Sequence, residues 1–255
     1  MQSIMFDDHP IHASVRPTGR SASQPGSLAA DADEDARLAA AFERHVKDRD
    51  FPCVGAKSAL ARGTLKTLIC HDLTSSWDDL PIHRELLRWS KDYDSDPAGL
   101  RSLAIVFRRS RTMSEHVFEQ HMWARIQSLT DKDSWLGQNA DSAVSGDPDD
   151  PHFALSFGGR AYFVVGLHPA ASRPARRFER PVMVFNLHDQ FENLRKEQRY
   201  ERMRDTIMDR DRKLAGDVNP MLGRHGEKSA AAQYSGRLVD DDWSCPFSNP
   251  REQAE

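Results

Sequence analysis

The sequence predicts an α+β fold in which helices flank a mainly antiparallel sheet, all within a single domain. Three observations predict it. Strand-like runs rich in aromatic and β-branched residues alternate with amphipathic helical stretches. Gly158-Gly159 separates two of these runs, which is a hairpin signal. The strands mostly lack the βαβ spacing of a parallel sheet. The 255 residues suffice for one large folded unit.

The first part of the chain divides into a tail and four helices. Residues 1–32 are rich in Ser, Pro, Gly and Ala and lack periodicity, which predicts a disordered tail ahead of a domain at 33–255. Apolar residues at helical spacing then predict helices, the third with Leu80, Leu86, Leu87 and Trp89 facing inward. The predicted helices are Glu34–Lys47, Val54–Arg62, Trp77–Tyr93 and Glu115–Leu129.

Residue patterns also predict five strands and two further helices. Short apolar runs rich in aromatic and β-branched residues predict strands. These are Thr67–Cys70, Ser102–Phe107, Phe153–Phe157, Tyr162–Leu167 and Val182–Phe185. Residues 131–152 read as a polar loop, and two further helices are predicted at Asp189–Lys196 and Tyr200–Leu214, the second ended by Gly216.

Composition excludes several classes of protein. The net charge of −4 argues against general affinity for nucleic acid. No apolar run approaches the ~18 residues of a membrane span, and the first thirty residues carry no apolar signal-peptide region. Three scattered cysteines make neither a disulfide framework nor a zinc knuckle. We therefore expect a cytoplasmic protein that contacts neither nucleic acid nor membrane.

A histidine and a group of arginines close the hairpin region. The strand Tyr162–Leu167 continues into His168-Pro169, and Arg173, Arg176 and Arg177 follow within nine residues. An imidazole beside several guanidinium groups suits an anionic ligand, and it suits a metal-bearing ligand with carboxylate arms better.

Landmarks spread along residues 45–248 resemble those of the YqcI/YcgG family. None is diagnostic alone, but their order and spread make the resemblance fairly specific. They are Phe51-Pro52-Cys53 with Ala56-Lys57, Gly166-Leu167-His168-Pro169, Ser172-Arg173 with Arg176-Arg177, Phe185-Asn186-Leu187-His188 with Gln190-Phe191, Asn219-Pro220-Met221, Tyr234-Ser235-Gly236-Arg237 and Trp243-Ser244-Cys245-Pro246-Phe247.

The resemblance implies a haem-dependent monooxygenase. The family includes haem-dependent N-hydroxylases that act on guanidino groups, such as that of arginine. The implied cofactor is haem b, and the implied partners are a guanidino or amine substrate, O₂ and an external electron donor. The donor is external because the chain carries no dinucleotide-binding fingerprint and no P-loop.

Four side chains are candidates for the axial iron ligand that the resemblance implies. His168 is the first, because a neutral imidazole at a strand end is held by the following proline. Cys53 would supply a thiolate that favours O–O cleavage. His188 and Cys245 are the other two. Each has an ordinary alternative: His168 as a hydrogen-bonded histidine at a strand end, His188 as a neighbour of a helix N-cap, and the two cysteines as small buried hydrophobic residues.

The remaining candidates would hold haem or substrate. Arg173, Arg176 and Arg177 would pair with haem propionates, with a solvated basic loop as the alternative; Lys57 would do so too, or be an ordinary surface lysine. Phe51, Trp243 and Phe247 would form apolar walls against the porphyrin, or they would simply pack in the protein core. The sequence does not rank the possible carboxylate partners of a guanidino substrate, which are Asp72, Glu179, Asp189 and Glu192.

Two other functions stay open. One is a non-catalytic haem or small-anion binding protein that uses the segment from His168 to Arg177. The other is a cofactor-free enzyme or interaction domain whose arginines hold a phosphate or carboxylate. No G-x-S-x-G, H-E-x-x-H or clear Cys–His pairing supports a hydrolase.

Overall fold

A computed structural model of the chain describes residues 25–221, 223 and 226–251. Helices and strands within these residues follow one another in the order α1, α2, β1, α3, β2, α4, β3, β4, β5, α5, α6 and α7. Their bounds are α1 Pro25–Lys47, α2 Val54–Ala61, β1 Leu65–Cys70, α3 Asp79–Ser95, β2 Ser102–Phe107, α4 Glu115–Trp135, β3 Leu155–Phe157, β4 Arg160–Leu167, β5 Val182–Leu187, α5 Asp189–Lys196, α6 Tyr200–Ala215 and α7 Ala231–Tyr234.

The strands form one five-stranded sheet in the order β1-β2-β5-β4-β3. β2, β5, β4 and β3 pair antiparallel, so the prediction of a mainly antiparallel sheet is confirmed. β1 and β2 pair parallel, which the spacing of the strands did not predict. Here α3 makes the crossover that two parallel strands need, since a short turn cannot return the chain to the same end.

One side of the sheet, the closed face, is sealed by two helices. It carries the odd-numbered residues of β2 and β5 and the even-numbered residues of β4, among them Ile105, Tyr162 and Phe185. Side chains from α3 and α4, such as Leu86 and Ile126, pack on these residues in a fully buried apolar cluster. Burial at this scale makes the closed face the main source of hydrophobic stabilisation.

The opposite side, the cleft face, carries Phe163, Val165, Val184 and Asn186 and is only partly covered. α1 packs Leu38, Phe42 and Val46 onto the β2–β5 end of this face, in a smaller buried cluster. α2 adds Ala56 and Leu60 to the edge of this cluster, whereas α5 and α6, which cover the sheet further along, stand away from the strands. Helices therefore lie on both faces of the sheet, but only one face is closed.

Three local predictions need correction. α1 begins at Pro25, inside the predicted tail, while residues 1–24 lie outside the described residues. α4 continues to Trp135, past the predicted end at Leu129. Leu80 does not face inward: it is 60% exposed, because the buried side of α3 is set by Ile82, Leu86 and Trp89. No described helix combines the length and the apolar character needed to cross a membrane.

The C-terminal segment covers a free edge of the sheet. β3 pairs only with Arg160–Tyr162, which leaves the rest of β4 without a strand on that side. Tyr234 of α7 lies across this part of β4, with its ring centre 5.1 Å from the ring centre of Phe163. The Gly166 carbonyl accepts a hydrogen bond from Arg176. Covering an edge in this way satisfies polar backbone groups that would otherwise invite pairing with another chain.

Candidate functional site

A cleft lies between the cleft face of the sheet and helix α6. Its cavity volume is about 310 Å³, at the lower end of the ~300–1,000 Å³ that is common for small-molecule pockets, and it opens to solvent at its mouth. Its walls are mostly apolar, with aromatic rings from several elements: Phe51, Phe153, Phe163, Phe191, Tyr200 and Tyr234.

Helix α6 turns an apolar stripe toward this cleft. Tyr200, Met203, Ile207 and Met208 recur at spacings that put them on one side of a helix, and all four line the cleft. They are half-buried, and among the described residues they belong to neither buried apolar cluster. A stripe that is not used to pack the core is available for a ligand.

The charged side chains that line the cleft are almost all cationic. The cations are Arg173, Arg176, Arg195, Arg204 and Lys228, and the described lining contains one acid, Asp211. The guanidinium carbon of Arg195 lies 4.1 Å from the ring centre of Tyr200, a cation–π contact that holds the arginine in place. This excess of positive charge favours an anionic ligand.

Arg176 fastens the C-terminal segment to the sheet. Its Nη1 donates to the Gly166 carbonyl at 3.0 Å and to the Tyr234 carbonyl at 3.3 Å, and its Nη2 donates to Gln233. No carboxylate among the described residues forms an ion pair with it. Burial lowers its pKa to about 10, so the guanidinium stays charged at neutral pH.

Arg173 is held by two carboxylates. Its Nη2 donates to Asp211 at 2.6 Å, and its Nη1 donates to Asp217 at 2.9 Å. The contact with Asp211 joins the turn at Pro174–Arg176 to α6 and so fixes one wall of the cleft. Part of the binding capacity of Arg173 is therefore already used inside the protein.

His188 follows the last residue of β5 and lines the cleft. Its backbone N–H donates to the Ala161 carbonyl at 2.8 Å, which continues the β4–β5 ladder and fixes the start of α5. Its Nε2 lies 3.8 Å from Oε1 of Glu192. Burial lowers the pKa of the ring, so at neutral pH His188 is uncharged, the form in which imidazole binds metals.

Cys53 also lines the cleft, at the start of α2. It caps that helix: its Sγ accepts the Ala56 N–H at 3.4 Å. Burial is the largest influence on the thiol and raises its pKa, against smaller opposing contributions from the backbone and from the positive charges of Arg176 and Lys57. Cys53 is thus a neutral thiol unless a metal displaces its proton.

His168 lies on the other side of the sheet. It continues the even-numbered residues of β4, and its ring stacks on Phe118 of α4 with ring centres 4.4 Å apart. The side chain is buried, and burial lowers its pKa. The structure therefore does not bring the first candidate ligand to the cleft.

Two of the predicted cations also lie away from the cleft. Arg177 donates to the carbonyls of Ala171 and Ser172 within its own loop. Lys57 donates to the carbonyls of Asp48 and Arg49 and so ties α2 to the end of α1. Both side chains therefore stabilise nearby backbone by hydrogen bonds outside the cleft.

The remaining predicted residues divide between the two faces. Phe51 lines the cleft, whereas Trp243, Cys245 and Phe247 pack on the closed face, where burial raises the pKa of Cys245 to about 12. None of the four predicted substrate carboxylates lines the cleft. Asp72, Glu179 and Asp189 have partners elsewhere, whereas Glu192 pairs with Arg195 and His188, both of which line the cleft.

Sequence reasoning missed Asp211. The signal was present, because Asp211 follows Tyr200, Met203, Ile207 and Met208 at helical spacing and must share their side of α6. What the sequence did not tell is that this side faces a cleft.

The described residues contain no group of three or more His, Cys, Asp or Glu side chains that could hold a metal ion. A haem needs only one or two protein ligands.

Comparison with known proteins identifies a family. The family model described as the YqcI/YcgG family matches residues 42–248 of the chain. The sequence of the chain matches no curated protein, and it matches no solved structure.

Proposed function

Because the chain belongs to the YqcI/YcgG family, we propose that it is a haem-dependent monooxygenase that N-hydroxylates a guanidino or amine group of an arginine-like small molecule. The single observation that carries the proposal is the character of the cleft. It combines an apolar interior, which includes the unpacked stripe of α6, with a lining that holds five cations and one acid.

The cleft suits a porphyrin on both counts. A flat apolar macrocycle would be buried between the cleft face of the sheet and the Met203–Ile207 side of α6, and apolar burial stabilises such a complex. Its two propionates need cations, and Arg176, with no ion pair in the described residues, is the first candidate partner. Arg173 is the second, although it already binds two carboxylates.

His188, in place of His168, would be the residue that holds the haem iron. It lines the cleft and its ring is neutral at physiological pH, so iron binding would displace no proton from it. Cys53 is the rival within the cleft, and it would have to lose its proton on binding iron. Cys245 packs on the closed face and is not proposed.

A bound haem would supply the O₂ chemistry that no amino-acid side chain provides. In the overall reaction one oxygen atom enters an N–H bond and the other leaves as water, with two electrons and two protons from an external donor. The chain's own residues would orient the substrate, exclude bulk water with the apolar walls, and fix the propionates.

Absorption spectra test the proposal most directly. Protein expressed with added haem should show a Soret band, and His168→Ala should keep that band unchanged. His188→Ala should lose it or shift it. A band that is unaffected by His188→Ala but altered by Cys53→Ala would make Cys53 the ligand.

Two results would change the assignment of function. A colourless protein that takes up no haem contradicts the proposal. Haem binding without turnover of any guanidino or amine compound, in the presence of a reductant and O₂, would favour the alternative of a non-catalytic haem or small-anion binding protein.

A further inference from the structure

The acid in the cleft occupies an unusual position. Asp211 is 5% exposed, lies on the cleft side of α6, and is the one acidic side chain in the described lining. Every other charged side chain there is a cation. A buried carboxylate costs free energy unless it is paired, so its position calls for an account of its partners.

The pairing of Asp211 is incomplete. Its Oδ2 accepts an N–H from Arg173 at 2.6 Å, whereas the described residues provide no hydrogen bond to its Oδ1. Arg173 also binds Asp217 at 2.9 Å, so the group of three carries two negative charges and one positive charge. An ionised carboxylate can accept several hydrogen bonds, which leaves Asp211 able to take one more cationic donor.

Arg176 is a further cation in the lining, and it does not bind Asp211. Arg176 lies within electrostatic range of Asp211, but within the described residues its hydrogen bonds all go to the backbone carbonyls of Gly166, Gln233 and Tyr234. It balances the charge of the group without binding the carboxylate. Asp211 and Arg176 thus offer a ligand one anionic and one cationic partner at the cleft wall.

We infer that Asp211 is the specificity-determining residue that receives the cationic nitrogen group of the substrate. The inference rests on the proposed function for the class of substrate, a guanidinium or ammonium compound. A guanidinium matches a carboxylate in shape and charge, and a neutral analogue of the same shape would leave the buried Asp211 without its partner. The preference for a cation over its neutral analogue is therefore the property that Asp211 controls.

The test compares L-arginine with L-citrulline, in which a neutral ureido group replaces the guanidinium at nearly the same shape. Binding of each is measured by calorimetry to the full chain, loaded with haem if it takes up haem. The wild type should bind arginine more tightly than citrulline. Asp211→Asn should weaken arginine binding at least about tenfold, the loss of one charge-assisted hydrogen bond, and leave citrulline almost unchanged.

Asp217→Asn is the matched control. Asp217 binds the same arginine but is 73% exposed and does not line the cleft, so this variant should keep the preference for arginine. Asp211→Glu, which keeps the charge, should retain a preference for arginine and shows that loss in Asp211→Asn is not unfolding. A purely structural role for Asp211 would weaken arginine and citrulline equally.

Each outcome has a defined meaning. No preference for arginine in the wild type, or an unchanged preference in Asp211→Asn, overturns the inference. If the same preparations show a Soret band, the haem proposal remains supported although the role of Asp211 is contradicted. Conversely, a lost preference in Asp211→Asn with no Soret band would uphold the role of Asp211 and contradict the haem proposal.

Discussion

The two faces of the sheet use the same strands for different purposes. On the closed face α3 and α4 bury a continuous apolar cluster that includes Ile105, Phe118 and Phe185, all fully inaccessible. On the cleft face Phe163 and the apolar stripe of α6 remain half-buried around an open space. Stability is thus concentrated on one side, which leaves the side chains of the other free to be selected for binding.

The largest expected contrast is between two phenylalanines on neighbouring strands. Phe185→Ala opens a cavity in the closed face and should lower the free energy of unfolding by about 3–5 kcal/mol. Phe163→Ala removes a half-buried ring on the cleft face and should cost only about 1–2 kcal/mol while weakening haem uptake. Denaturant unfolding and the Soret band measure the two effects; equal losses of stability would abolish the distinction between the faces.

A polar substitution in the stripe of α6 separates binding from folding. Ile207→Asn should change the free energy of unfolding of the ligand-free protein by about 1 kcal/mol or less, because Ile207 packs on neither buried cluster. It should nevertheless reduce haem loading, since it places an amide against an apolar ligand.

The matched control for this substitution lies on the closed face. Ile126→Asn in α4 buries an unpaired amide in the core and should prevent stable folding. If Ile207→Asn is as damaging as Ile126→Asn in thermal unfolding, the stripe of α6 is part of the core.

The histidine on the closed face predicts a pH dependence of stability. Burial lowers the folded-state pKa of His168 below its ordinary value of 6.5, partly opposed by Glu115 and supported by Arg176. Between the two pKa values the unfolded chain binds more protons, so stability falls as the pH drops below 6.5, by at most about 1.4 kcal/mol per pH unit for this group.

His168→Phe tests this role and keeps a ring against Phe118. We expect a smaller loss of stability than in the wild type when denaturant unfolding is compared at pH 7.5 and pH 5.5. The dependence will not vanish, because burial also lowers the pKa values of His45 and His188. An identical pH dependence in both proteins would show that His168 does not titrate between the two states.

The smallest effect is expected at Lys57. It donates to two backbone carbonyls at the end of α1 and does not line the cleft. Lys57→Ala should therefore lower stability by about 1 kcal/mol or less and leave the Soret band unchanged. A clear loss of the Soret band would instead indicate that Lys57 contributes to haem binding.

Much of the fold could be predicted from local pattern. The strand at Ser102–Phe107 was predicted with its observed bounds, and the four other predicted strands lie within two residues of the observed ones at each end. The parallel pairing of β1 with β2 was missed because a helix of crossover length does not reveal which strand its successor will join. Leu80 was misplaced because the third helix has apolar residues on more than one side.

The candidate site was predicted in part. Cys53, Arg173, Arg176 and His188 were candidates that the structure does bring to one cleft. His168 was placed first because of its neighbours in sequence, although the alternation of β4 already put it on the same side as Tyr162 and Val164. Alternation separates the two faces but does not reveal which of them is open.

The sequence by itself determined the order and type of helices α1 to α6 and of the five strands, and the alternation of faces along each strand. These follow from residue properties that repeat over a few positions, with a period of two or 3.6. Only the tertiary structure decided that α3 and α4 seal one face while α6 stands off the other. That outcome depends on contacts between residues far apart in the chain, such as Arg173 with Asp211 and Arg176 with Tyr234. No local pattern records such contacts, and they create the cleft that brings His188, Arg176 and Asp211 together.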